Sequence, residues 1–176
     1  TAQAIRAYER LVSDFPKNFV ARYLLANQLK ARGDLDDAIA HYQLIMEQSP
    51  EYTQAHFSYS GVHKYQDASD PHIATLLSLY ETGSLAVDGR IPVACALAKA
   101  FEDVGDYPQS FNYLEAGNRL RYGKYNYAID GDRALFENII ETFTPEALEA
   151  LEVIGQQSDR PIFIVGMPRS GTTLVE

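Results

Sequence analysis

The sequence predicts a mainly α chain. A superhelix of stacked helix hairpins fills residues 1–154, a polar linker covers 155–160, and residues 161–176 open an α/β domain with its first strand, phosphate-type loop and helix. Three observations carry this expectation. Positions recur at a spacing of 34 residues in the first part of the chain. The last sixteen residues, PIFIVGMPRSGTTLVE, run from an apolar stretch through a glycine-bounded turn into a second apolar pattern. The composition, 46% hydrophobic and 22% charged over 176 residues, is that of a globular protein and not of a disordered one.

The spacing is read from Ala4, Tyr8, Leu11 and Pro16, which return as Ala38, Tyr42, Ile45 and Pro50. Upstream of Ala38, the residues Leu25, Ala26, Leu29 and Gly33 complete a helix–turn–helix unit. Ala26 and Ala38 are small enough to let two antiparallel helices approach. Tyr42 and Ile45 are expected to fill the space towards the next hairpin. Gly33 suits the left-handed residue that ends a helix, and Pro50 stops the following one. Unit one is represented by its second helix alone. The third unit is degenerate, because the same shift from Gly33 and Ala38 lands on Asp67 and His72. Its second helix is expected to start with Asp70 as N-cap and Pro71 at the first helical position. The segment 81–90, ETGSLAVDGR, reads as a longer loop. A fourth unit returns with Leu97, Ala98, Phe101, Gly105 and Tyr107, with Ser110 and Leu114 in the next helix. The pattern lapses after Leu120. A helix over 132–143 follows, and Thr144-Pro145-Glu146 starts another with a cap, a proline and an acidic first turn.

Net charge is -9, which argues against nucleic acid or an anionic membrane as a partner. No apolar run is long enough to span a bilayer. The single cysteine, Cys95, excludes an intrachain disulfide and fits a reducing, cytoplasmic compartment. It sits in the apolar stretch VACALAKA, where a buried inert thiol is expected. His41, His56, His63 and His72 share no metal-ligand spacing, so helix-surface or inter-repeat packing is their expected place, and no metal is expected. The chain does not begin with Met, shows no basic-then-apolar leader, and reads as cut from something larger at both ends.

The terminal motif points towards anion chemistry. Ile162 to Val165 form the apolar run, and from Gly166 the spacing is G-x-x-x-x-G-T-T. Such a turn aims backbone N–H groups and a helix start at one spot, which suits phosphate or sulfate. An ATP-type loop needs Lys directly after its second glycine, and Thr172 holds that place here. The nearby cation is Arg169, two residues before Gly171. The residues alone leave open a generic strand–turn–helix and another kind of phosphate loop.

The period and the small/large alternation resemble the tetratricopeptide repeat. P-R-S-G-T-T after an apolar strand resembles the 5′-phosphosulfate loop of sulfotransferases, which use 3′-phosphoadenosine 5′-phosphosulfate (PAPS). The two together, with the stretches ALAKAFEDVGDYPQSFNYLEAGNRLR and PIFIVGMPRSGTTLVE, resemble the bacterial tetratricopeptide-repeat sulfotransferases, whose catalytic domain is related to that of tyrosylprotein sulfotransferases. The resemblance implies that Arg169 contacts the transferred group and offsets charge on the leaving phosphate. It implies backbone N–H contacts from Ser170 and Gly171 to the 5′-phosphate, further donors from Thr172 and Thr173, and Pro168 as part of the same loop. It implies no metal. The general base, the 3′-phosphate site and the acceptor pocket would lie beyond Glu176, and Glu176 itself is not expected to act. The 176-residue piece alone is therefore expected to be inactive.

In the repeat register, Tyr23, Asn27, Lys30, Phe57 and Lys64 should line the concave groove, where a peptide or protein partner would sit. A second reading, from another class, is a non-enzymatic adaptor whose repeats bind partners. Arg119, Arg121 and Lys124 with Tyr122, Tyr125 and Tyr127 form a short basic–aromatic cluster, expected to serve local ion pairing and packing.

Overall fold

The computed structural model of the chain describes residues 2–83, 85–125, 127–152, 162–166 and 171–175. They fall in two units, Thr1–Asn126 and Tyr127–Glu176. The first unit holds α1 (Ala2–Asp14), α2 (Phe19–Arg32), α3 (Leu35–Gln48), α4 (Thr53–Ser60), α5 (Pro71–Glu81), α6 (Val87–Asp103) and α7 (Tyr107–Lys124). Each helix packs on near neighbours in sequence: α1 on α2, α2 on α3, α3 on α4, α4 and α5 on α6, and α6 on α7. This is the contact pattern of a helical repeat array.

Local chemistry sets the helix ends. The Asn18 side chain accepts a hydrogen bond from the Ala21 N–H at 3.0 Å and starts α2. Gly33, at φ 100°, ends it by donating to the Leu29 and Lys30 carbonyls. Gly105 repeats the device at φ 82° between α6 and α7. Asp106 then caps α7, accepting from the Gln109 N–H at 3.1 Å. As expected from Asp70-Pro71, the Asp70 carboxylate accepts from the His72 N–H at 2.8 Å and opens α5.

Two cores result. The first gathers Ile5, Leu25, Ala26, Leu29, Ala38, Tyr42 and Tyr59 from α1 to α4. Ala26 and Ala38 are fully buried there. The second gathers Tyr65, Ile73, Leu76, Val93, Ala96, Leu97, Ala100 and Phe101. Behind it α6 and α7 come so close at Gly117 that a Cβ there would lie 3.2 Å from the Ala94 Cβ.

Three expectations are corrected. The segment 81–90 is not a long loop, because α6 begins at Val87. Burial of Ile91 and Val93 and the acidic first-turn residue Asp88 draw these residues into the helix despite Gly89. The long connection lies at 61–70, between α4 and α5. There, α4 packs on α3 and α6 and does not close tightly on α5.

The other two corrections are in the second unit, which holds α8 (Ile129–Thr142), α9 (Pro145–Glu152) and the short α10 (Thr172–Val175). α8 starts three residues before the expected Asp132. The Thr144 hydroxyl accepts from the Ala147 N–H at 3.2 Å and caps α9 as expected. Residues 162–166 were expected to form a buried strand, but no strand occurs among the described residues. Ile162, Phe163 and Val165 are 88%, 84% and 91% exposed. A strand exists through its ladder partners, and no described segment supplies one. The linker at 155–160 lies outside the described residues.

Candidate functional site

In the terminal loop, Gly171 has φ 91° and its carbonyl accepts from the Leu174 N–H at 2.9 Å, so a helical turn begins at Thr172. A Cβ at Gly171 would meet no atom of the described residues within 4 Å, and its left-handed backbone is what favours glycine there. Thr173 lies in this turn. Pro168, Arg169 and Ser170, and Glu176 after the turn, lie outside the described residues.

The five groove residues have different fates. Tyr23 is half-buried; its hydroxyl and Ser58 Oγ share a hydrogen bond at 2.9 Å, and its ring tilts against Tyr42 and Tyr52. Asn27 Oδ1 accepts from the Tyr42 hydroxyl at 2.7 Å. Burial, with Tyr23 nearby, pushes the Tyr42 phenol up to about 12. Tyr23 and Asn27 are thus engaged in packing the repeats. Lys30 is exposed. Lys64 Nζ lies 2.6 Å from Asp103 Oδ1. Burial works against ionising Asp103, yet hydrogen bonds from Lys64, Lys99 and the Tyr65 N–H outweigh it and hold the carboxyl down at about 2. Phe57 is 44% exposed. It lines a notch of about 360 Å³ with Gln54, Pro92, Arg121, Lys124 and Tyr125. Of the five, Phe57 presents an apolar ring to solvent beside polar and charged groups.

The structure builds a feature that sequence reasoning placed only as packing. His56 and His72 face each other between α4 and α5, with rings parallel within 3° and centroids 5.2 Å apart. The Nδ1 of His56 is 3.0 Å from Nε2 of His72, so the rings meet edge to edge and not face to face. Hydrogen-bond direction follows from one carbonyl. His56 Nε2 lies 2.9 Å from the Pro50 oxygen, which can only accept. His56 Nδ1 is therefore an acceptor and takes the Nε2 proton of His72. His72 Nδ1 then accepts from the Tyr65 hydroxyl at 2.6 Å, and Tyr65 accepts from Ser60 at 2.8 Å. Both imidazoles are neutral in this chain. Burial pushes His72 down to about 3, helped by His56, and burial also lowers His56. His63 Nε2 sits 2.8 Å from Asp70 Oδ2 beside them. The legible signal was the departure from the repeat: His72 stands where the preceding unit has Ala38.

A cleft of about 530 Å³ opens over this chain, lined by Gln43, Glu47, His56, Tyr59, Asp70 and His72 among others. Among the described residues, no group of three His, Cys, Asp or Glu side chains is placed to hold a metal ion. Among the same residues, no helix is long and apolar enough to cross a membrane.

A model of the tetratricopeptide repeat family matches residues 1–59. An uncharacterized protein of Aquifex aeolicus (strain VF5) is 33% identical to this chain over 162 residues, 92% of the chain. That alignment covers 21% of the Aquifex protein, so the chain spans about a fifth of its length. The family match covers the first hairpins, and the helix order and glycine turns that follow are consistent with a helical repeat of the same kind.

Proposed function

We propose that the repeat unit is a protein-interaction module that holds its partner on the surface beside Phe57. The observation that carries this reading is an aromatic ring left 44% exposed on α4, in a polar notch, within a repeat array whose other large groove side chain, Tyr23, is packed away. Exposed aromatics in concave, mixed surfaces are characteristic anchors of protein contacts. The test compares affinity capture by the intact protein and by its Phe57→Asp variant. The variant should keep the helical circular dichroism spectrum and lose the partners that the unaltered protein retains. Equal capture by both would remove Phe57 from the contact.

A second reading rests on the terminal sequence. In it, the intact protein is a cytoplasmic bacterial sulfotransferase that takes PAPS as co-substrate, and the repeats recruit or orient its acceptor. What supports it is P-R-S-G-T-T at 168–173 after an apolar run, with a left-handed Gly171 and a helical turn opening at Thr172. The sulfur–oxygen bond to the leaving phosphate breaks as one to an acceptor hydroxyl oxygen forms. The hydroxyl proton passes to a base, and the negative charge remains on the phosphate. Arg169 would offset that charge, while N–H groups of Ser170 and Gly171 and the Thr172 and Thr173 donors would hold the 5′-phosphate. Calorimetric titration of the intact protein with 3′-phosphoadenosine 5′-phosphate, against ATP, tests this. Selective binding that Gly171→Val removes is expected, and Arg169→Ala should abolish transfer. Failure to bind either nucleotide would leave the adaptor as the reading of the whole protein.

A further inference from the structure

The charge of this protein reverses at one end of the α6–α7 hairpin. Because the two helices are antiparallel, the last turns of α7 lie beside the first turns of α6, and Lys124 pairs there with Asp88. Three depressions meet at this end. One of about 550 Å³ lies between the start of α6 and Arg119, Leu120 and Lys124. It shares Asp88 and Lys124 with the notch that holds Phe57, Arg121 and Tyr125. It shares Arg119 and Leu120 with a smaller one of about 210 Å³, which holds Tyr80 and Arg90. The three therefore adjoin one another in turn, as a track around this end of the hairpin, with Arg119 on one side of α7 and Arg121 on the other. The track's cations are Arg90, Arg119, Arg121 and Lys124, and its carboxylate is Asp88. The cleft over the histidines is of opposite character, with Glu47 and Asp70 in its lining.

The cations are unequally engaged. Lys124 is paired with Asp88, and Arg119 with Glu115 at 3.1 Å. Arg90 and Arg121 pair with no carboxylate among the described residues. The Arg90 guanidinium lies over the Tyr80 ring, 4.9 Å from its centroid. Its Nε is buried without an acceptor among the described residues. The ring covers one face of the guanidinium, so donors remain in its plane for an oxygen ligand. Between the cations the track is lined by Val87, Leu120, Phe57 and Tyr125.

We propose that this track, from Tyr80 and Arg90 across Arg119 to Phe57 and Arg121, docks an acidic segment of a partner protein in which carboxylates alternate with apolar side chains. The inference rests on the reading of the repeats as a protein-interaction module and gives that module's partner its chemistry. Charge complementarity selects a carboxylate-bearing ligand. The interleaved apolar and aromatic lining selects a protein segment over a nucleic acid, and the net charge of -9 repels a long polyanion from the rest of the surface.

The test uses the intact protein and a short fluorescein-labelled Glu-Leu repeat peptide, followed by anisotropy at low and high salt. A Lys-Leu peptide and an oligothymidylate serve as controls. The protein should bind the Glu-Leu peptide, release it as salt rises, and ignore both controls. Arg119→Glu combined with Arg121→Glu should weaken binding about tenfold or more, since exposed pairs are individually modest and act in sum. Arg6→Glu combined with Arg10→Glu, on exposed positions of α1, should leave it unchanged. The milder Arg121→Gln and Lys124→Gln pair, checked by circular dichroism, guards against loss of fold. Absence of binding, binding indifferent to the track variants, or equal binding of oligothymidylate would each overturn the proposal. Those results leave the Phe57→Asp capture experiment to decide the module reading by itself.

Discussion

The second and third hairpins of the array solve one problem in opposite ways. Between α2 and α3 the helices meet through Ala26 and Ala38, both fully buried, and the contact is apolar and without direction. Between α4 and α5 the position equivalent to Ala38 is His72, the helices stand apart, and the gap is filled by Tyr65 from the connecting loop. What joins them is a one-way chain from Ser60 through Tyr65, His72 and His56 to the Pro50 carbonyl. The first contact is sensitive to volume. The second is sensitive to protons and to the loss of any one partner.

The comparison breaks most sharply with volume. Ala38→Leu adds a branched side chain at a position with no free space and should cost about 3 kcal/mol in urea denaturation. A cost below about 1 kcal/mol would mean that the α2–α3 hairpin tolerates separation as the α4–α5 hairpin does. Acid should act on the other hairpin. His72 is held at about 3 against 6.5 unfolded, so the unfolded state binds more protons throughout that interval. Stability therefore falls as pH drops from 6.5 towards 3, by about 2–3 kcal/mol between pH 7 and pH 4. Asp103 adds its own loss lower down, from about 3.8 to about 2. His41, half-buried and also lowered first by burial, adds a small part of the upper slope. His72→Ala should flatten most of that slope in denaturation midpoints measured across pH. An unchanged slope would place the proton uptake elsewhere.

At neutral pH the same His72→Ala change should cost about 2 kcal/mol, because His56 Nδ1 is left without its donor. A gain in stability would show that the third unit closes readily on a small residue, as its neighbour does. The smallest effect is expected at the turn. Gly33→Ala meets no neighbouring atom, so only the left-handed backbone resists it, at about 1 kcal/mol by thermal unfolding.

Much of this was legible because it is local. Gly33 and Gly105 as turn residues, Asp70-Pro71 and Thr144-Pro145 as helix starts, and Ala26, Ala38, Tyr42 and Ile45 as core follow from spacing and backbone preference. The start of α6 was misread because Gly83 and Gly89 look like loop residues, while burial of Ile91 and Val93 across the fold decides otherwise. The histidine chain was not legible. One of its links, Tyr65, comes from a loop and is 1% exposed only because two helices stand apart around it. The register placed Tyr23 and Asn27 on the groove wall but carries no information on whether Ser58 and Tyr42 reach across to bind them. For the terminal segment, the turn at Gly171 was legible, whereas the expected strand at 162–166 does not occur among the described residues, since pairing depends on other segments.

The histidine chain also ties the two cores of the first unit to each other. Tyr59 belongs to the first core and Tyr65 to the second. His72 touches both, with the Tyr59 ring at 4.7 Å and the Tyr65 hydroxyl at 2.6 Å. Alongside the packing of α4 on α6, neutral His72 is thus a polar coupling between the two cores. Protonating His72, or placing an alanine there, removes that coupling and should lower the cost of opening the second core while the first remains folded.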